Sequence, residues 1–315
     1  APVEFIDNAL SGAPSALSRV ATEVVILGKY LWLMFIPYPL LANYSFNSIP
    51  YADLSSIKFW AALLAHLALV YVAVTRFLKN KKDPWSFAIL FYLATLFLFS
   101  NIPFLMGATM AERFAFFCSM GYCLAAGLGV EQWLLKSEAG DINTLKSKKV
   151  LVVLVPLLLL FGGMTLARNA DWRNGYTLFS ADVKKSPNDS RLYHYLATVM
   201  AESMYEREQD TLKRKAMDAE SIEYLKKALI IYPDFADAHI ELGRVYDREK
   251  QHDSALVHDL RAIELNPGNA TARNNLGNVY LAKAKWEEAK NNFLIAIQLN
   301  PNLKYSYYNA GLSFK

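Results

Sequence analysis

The chain has 315 residues, 54% hydrophobic and 20% charged, with a net charge of +4 and a mean hydropathy of +0.14. Its 18 Tyr and 18 Phe exclude a disordered chain, its 2 Cys exclude a disulfide scaffold, and the small, scattered net charge excludes a nucleic-acid binder. The charge is unevenly shared: residues 1–168 hold 13 Lys/Arg and 9 Asp/Glu, and residues 169–315 hold 20 of each.

Residues 1–168 read as a transmembrane domain. The stretches 22–42, 59–78, 85–107, 114–135 and 150–167 each approach the ~20 apolar residues needed to cross a bilayer. Backbone groups in lipid must bond within their own segment, so helices are predicted. The bundle then has four to five spans. Pro37 and Pro39 interrupt the first, leaving a crossing and an interfacial helix both open. Tyr30, Trp32, Trp60, Trp85 and Trp133 fall near span ends, as interfacial aromatic rings do. Arg76, Lys79, Lys81 and Lys82 follow the second span, and Lys136, Lys146, Lys148 and Lys149 follow the fourth, whereas 43–57 has no Lys or Arg. Cations mark the cytoplasmic side. Residues 169–315 are therefore expected on the extracytoplasmic, periplasmic or lumenal, side. Ala1 is not a start Met, no leader pattern opens the chain, and the chain stops inside a helical pattern, so both ends are expected to lie within a longer protein.

Residues 169–315 read as a repeat array. Pro233, Pro267 and Pro301 are 34 apart, as are Gly243, Gly277 and Gly311, then Tyr246, Tyr280 and Phe314, and then Ala228, Ala262 and Ala296. Ala255 and Ala289 keep the same period. This is tetratricopeptide spacing: small residues where two helices touch, an aromatic ring between them, and Pro after the second. Full units are predicted at 236–269 and 270–303, an irregular one at 190–233, and a truncated one from 304. Extra residues near Glu206–Asp218 are expected to lengthen the irregular unit as a solvated extension, and Trp172–Pro187 to form one helix before the array. The fold class is all-α: a polytopic helix bundle followed by an α-solenoid.

The chemistry-bearing residues are few. The five histidines share no metal-ligand spacing, and Cys118 and Cys123 read as packed thiols. Glu112 and Arg113 are expected to pair at the outer mouth of the fourth span, where ionisable groups tend to be functional. Arg113 there suits a lipid-linked phosphate, with two parallel donors to offer. Asn43 and Tyr44, in the other outer loop, have two readings: sugar hydrogen bonds or helix caps. Asn274, Asn275 and Asn278 lie on the first helix of one unit, with Asn309 one period after Asn275. They read as a peptide-binding face, since amides can bond an extended backbone, or as solvated surface.

Four stretches carry a family resemblance: Phe5-Ile6-Asp7-Asn8-Ala9-Leu10; Pro39-Leu40 through Pro50; Ala111-Glu112-Arg113 with Ser119-Met120-Gly121-Tyr122-Cys123; and Asp171-Trp172-Arg173-Asn174. Their order, followed by the repeats, resembles membrane-embedded glycosyltransferases of the GT-C type with C-terminal tetratricopeptide repeats, namely the transmembrane and tetratricopeptide-repeat O-mannosyltransferases and bacterial relatives. The family usually has Asp-Asn-Pro in place of Asp7-Asn8-Ala9 and Asp-Tyr-Ser in place of Asn43-Tyr44-Ser45. The resemblance implies transfer of a sugar from a polyprenyl phosphate to a protein or glycan hydroxyl. It places the catalytic carboxylate upstream of residue 1, gives Arg113 the donor phosphate, and leaves Glu112 to orient it. Implied partners are membrane lipid, the lipid-linked donor and a protein or peptide acceptor on the repeat face. No cofactor is indicated beyond the donor. A membrane-anchored repeat protein without catalysis, or a surface-polysaccharide ligase or polymerase, remains as an alternative.

Overall fold

The computed structural model describes residues 8–135 and 148–313. Phe5, Ile6 and Asp7 of the first motif, Lys136, Lys146 and Phe314 lie outside the described residues, and so do the side chains of Trp133, Lys148 and Lys149. Among the described residues the chain is all-α, with one isolated antiparallel bridge, Tyr44 to Met110, and no strand. Two compact units divide it, residues 1–186 and 187–315.

The first unit holds α1 (Ala16–Phe35), α2 (Ile57–Lys79), α3 (Pro84–Leu98), α4 (Ala115–Gly129), α5 (Lys148–Asp171) and α6 (Gly175–Lys185). Among the described residues three stretches are long and apolar enough to cross a membrane: Ile57–Lys79, Glu112–Gln132 and Val150–Asp171. The expected span 22–42 begins earlier and ends earlier. Ser15 caps α1 through the Ser18 N–H, and the helix stops at Phe35 because Ile36, the residue before Pro37, is forced to extended backbone. Arg19, Glu23 and Lys29 all lie on it. The expected span 85–107 is cut at Leu98, so α3 has 15 residues and covers ~22 Å, short of the bilayer core. Asn101 breaks the apolar run: its side chain accepts from Met106 N (2.8 Å) and donates to Thr109 O (3.0 Å), folding the chain into a loop.

Tyr30, Leu33, Tyr44, Tyr92, Leu96, Met110 and Cys118 form the core of this unit. α3 and α4 touch backbone to backbone at Gly121, where a Cβ would lie 2.6 Å from Ala88 O and 2.8 Å from Tyr92 N. Small residues let helices approach in this way in a bilayer. The division between units falls after Ser186 rather than after residue 168, because α6 is tied back into the first unit. A capping box of Asn174 and Thr177 starts α6, and ion pairs described below hold it to α5.

The second unit is a stack of helices: α7 (Ser190–Val199), α8 (Thr211–Ile231), α9 (Ala236–Arg248), α10 (His252–Leu265), α11 (Ala270–Ala282), α12 (Trp286–Leu299) and α13 (Lys304–Leu312). Gly277 lies against the ring of Phe293, where a Cβ would come within 2.5 Å of Cε1, and Gly243 lies closer still to Asp259. The insert lengthens α7 through a π turn (Met200–Met204) and a short 3-10 turn, and forms the start of the 21-residue α8. Its end is not merely solvated. Asp218 is buried and ion-paired to Arg248 of α9, which also donates to Ala201 O (3.0 Å) and lies 3.8 Å over the Tyr205 ring.

Candidate functional site

Polar chemistry in the first unit gathers where the α1–α2 loop, the α3–α4 loop and α6 meet. The base of the site is fixed by hydroxyls and amides. Tyr30 Oη accepts from Ala111 N (3.0 Å) and donates to Ala111 O (3.1 Å), pinning the segment just before Glu112. Asn8 donates to Asn101 Oδ1 (2.8 Å) and to Met106 O (2.9 Å), while Thr109 Oγ1 accepts from Ala9 N (3.0 Å). Asn8 of the first motif thus clasps the α3–α4 loop.

Glu112 and Tyr44 come together. Glu112 Oε1 accepts from the Tyr44 hydroxyl (2.8 Å) and from Leu41 N (2.6 Å). Tyr44 is fully buried, and burial together with the neighbouring carboxylate pushes its phenol well above the usual range, so it remains a neutral donor. The next amide in the loop, Ala42 N, donates to Asp182 Oδ2 of α6 (2.7 Å). Asp182 is 0% exposed and forms a two-pronged pair with Arg168 of α5, at 2.7 and 3.2 Å. Arg168 and Lys185 also hold Asp171 of the Asp-Trp-Arg-Asn motif, at 2.9 and 3.2 Å. Two carboxylates from different elements therefore grip adjacent amides of one loop. Charge-assisted bonds of this kind are the stronger ones.

The expected pair of Glu112 and Arg113 is replaced by this arrangement. Arg168 and Lys29 are the cations whose charge acts with Glu112, and among the described residues no ion pair joins Glu112 to Arg113. Arg113 is exposed, its guanidinium 5.2 Å from the Phe114 ring centre. Asn43 is half-buried beside Tyr44. Sequence reasoning missed Asp182, Arg168 and Lys29. The last is a half-buried lysine whose Nζ sits 4.4 Å over the Tyr44 ring.

In the second unit the four asparagines separate. Asn274 Oδ1 accepts from Ser306 Oγ (2.9 Å), and Asn309 Nδ2 donates to Asn278 Oδ1 (2.8 Å), so three of them stitch α11 to α13. Asn275 is 9% exposed, and its Nδ2 has no hydrogen-bond partner among the described residues. The histidines, unrelated by spacing, include a pair. His239 and His258 face each other through Nδ1 atoms 2.9 Å apart, and His239 Nε2 meets Pro233 O at 2.9 Å. The carbonyl requires a donor, so His239 carries its proton on Nε2 and His258 donates to its Nδ1. Burial holds both rings below the usual histidine range, His258 at about 4.

Residues 260–291 match the tetratricopeptide repeat family. The chain is similar to the protein O-mannosyl-transferase TMTC1 of Mus musculus, 28% identical over 244 residues, 75% of this chain and 24% of that protein. It is similar to the protein O-mannosyl-transferase Tmtc3 of Drosophila melanogaster, 28% identical over 256 residues, 79% of this chain and 25% of that one. The chain spans about a quarter of the length of these curated relatives. Among solved structures, the thermophilic tetratricopeptide protein TTC0263 of Thermus thermophilus aligns with 20% identity and a TM-score of 0.39, covering 59% of this chain and 95% of that one.

Proposed function

We propose that the chain is part of an integral-membrane glycosyltransferase that moves a sugar from a polyprenyl-phosphate donor to a protein hydroxyl. One observation carries this reading. The match to the O-mannosyl-transferases, 244 residues in length, is longer than the whole of residues 187–315, so it takes in the apolar unit and not the repeats alone. In the reaction, the bond from the sugar's anomeric carbon to the phosphate oxygen breaks and one to the acceptor oxygen forms. The acceptor proton passes to a carboxylate, assigned to a segment upstream of residue 1, and the polyprenyl phosphate leaves with the electron pair.

Glu112, bonded to Tyr44 and Leu41 N, shapes the outer loop rather than abstracting a proton. Arg113, free of Glu112 and exposed, presents two parallel donors to the leaving phosphate. Asn43, half-buried beside Tyr44, is assigned to a sugar hydroxyl. The repeats stand on the extracytoplasmic side and bind the acceptor or a partner.

The test uses the full-length protein in membranes, supplied with a prenyl-phosphate sugar and an acceptor peptide. Arg113→Ala is expected to cut turnover by ~2–4 kcal/mol of transition-state stabilisation, and Arg113→Lys by less. Transfer at the parent rate by both folded variants would make Arg113 structural.

A further inference from the structure

His239 and His258 are 19 positions apart in the chain, yet α9 and α10 bring their Nδ1 atoms to 2.9 Å. Each ring is held in place. Pro233 O, 2.9 Å from His239 Nε2, fixes that nitrogen as a donor, so His239 Nδ1 presents a lone pair. An imidazole that donates its far N–H to a backbone carbonyl is oriented as metal-ligating histidines are. His258 is stacked on Tyr246, with ring centres 5.7 Å apart and planes 16° from parallel. Its Nε2 has no hydrogen-bond partner among the described residues, and the ring is only half-buried. The proton on His258 Nδ1 can therefore move to Nε2, which frees a second lone pair beside the first.

We propose that His239 Nδ1 and His258 Nδ1 form a two-imidazole site for a tetragonal divalent transition ion, Cu2+ or Ni2+, across the α9–α10 hairpin. The spacing selects the ion class. An ion ~2.1 Å from both nitrogens would see them ~90° apart at the 2.9 Å separation, whereas a tetrahedral ion needs them ~3.4 Å apart. Square-planar and tetragonal Cu2+ and Ni2+ take adjacent ligands at that angle, and imidazole suits both. Mg2+ and Ca2+ call for oxygen ligands instead. Among the described residues no third His, Cys, Asp or Glu completes the set, so water fills the remaining positions. Burial keeps both rings neutral near pH 7, the form that binds a metal. Of the charges that act on the pair, Lys226 reaches His258, and Arg261 and Asp234 reach His239; Arg261 is itself paired with Asp234 and Glu264. Unfolding separates the two rings, so the ion binds the folded unit and stabilises it as its concentration rises.

The experiment follows hydrogen exchange in the full-length protein in detergent micelles near pH 7. At about ten times its dissociation constant, Ni2+ is expected to slow exchange of the α9 and α10 amides about tenfold, while Mg2+ leaves them unchanged. Exchange there that ignores Ni2+ overturns the proposal, and so does equal slowing by Mg2+. His258→Phe keeps an aromatic ring on Tyr246 and removes one ligand, so the Ni2+ effect should vanish. His252→Gln should retain it, since His252 pairs with Asp247 instead. A Ni2+ effect that survives His258→Phe, or one lost in His252→Gln, overturns the assignment to this pair. One added equivalent of Cu2+ gives a readout separate from stability. Its electron spin resonance spectrum is expected to show coupling to two imidazole nitrogens in the parent and to fewer in His258→Phe; identical spectra overturn the site.

Discussion

Asp259 occupies the place in the 236–269 unit that Phe293 occupies in the next, each facing a glycine, Gly243 or Gly277. It is 0% exposed, and neither carboxylate oxygen has a hydrogen-bond partner among the described residues. Burial, and to a lesser extent the charge of Asp247, pushes its carboxyl from 3.8 up to about 8. The folded unit therefore holds the protonated form more tightly than the unfolded chain does. Stability from this group is full below pH ~4, falls as pH rises toward 8, and is level above that. A shift of this size corresponds to ~6 kcal/mol at ~1.4 kcal/mol per pH unit; water following the charge reduces the expected loss to ~2–4 kcal/mol. Hydrogen exchange of the α9 and α10 amides at pH 5 and pH 8, corrected for the intrinsic rate, reads the opening free energy directly. Asp259→Asn should remove the fall in stability toward pH 8 and leave the opposite, smaller slope below about pH 6.5 that His239 and His258 supply. Asp259→Leu should make the unit more stable than the parent at pH 7. An equal slope in parent and Asp259→Asn would refute the reasoning.

Gly277→Leu forces side-chain atoms into the Phe293 ring and should cost ~1–3 kcal/mol; unchanged protease resistance of the repeats would contradict the packing described. Asp182→Asn leaves Arg168 short of a buried partner and should cost ~3 kcal/mol, with faster exchange at Leu41 and Ala42; parent-like exchange there would show that α6 does not hold the loop. Ser254→Cys should react with an impermeant thiol reagent on intact cells, and labelling only after permeabilisation would reverse the proposed sidedness.

The repeats are legible in the sequence because their constraint is local and periodic. Helices that touch at Gly243 and Gly277 leave room for no side chain, and that demand recurs every 34 residues. The site formed by Glu112, Tyr44 and Asp182 is less so. Glu112 and Tyr44 stand out as polar residues in apolar surroundings, but the bond from Ala42 to Asp182 spans 140 positions, and no period marks either end. Lys29 is hidden by the apolar residues around it, which read as a span rather than as the wall of a polar site. Helix ends failed for a specific reason. Apolar content continues past Leu98, while the Asn101 side chain pulls the backbone into a loop. Hydropathy carries no trace of that bond.

The joints between repeat units differ in chemistry although they occupy the same register. Ile240 and Ala272 pack in one apolar cluster between α9 and α11, whereas the positions 34 residues later, Asn274 and Ser306, share a hydrogen bond between α11 and α13. The units are therefore not interchangeable bricks. Duplicating or transposing one by recombination would set Asn274 against an alanine in place of Ser306 and leave its amide short of a partner in the seam. Asn275 shows what a partial mismatch looks like: the residue one period earlier, Glu241, is ion-paired to Arg244, whereas the Asn275 Nδ2 has no hydrogen-bond partner among the described residues. Such seams act as a lock on genealogy, allowing the array to drift by point substitution while resisting reshuffling of its parts.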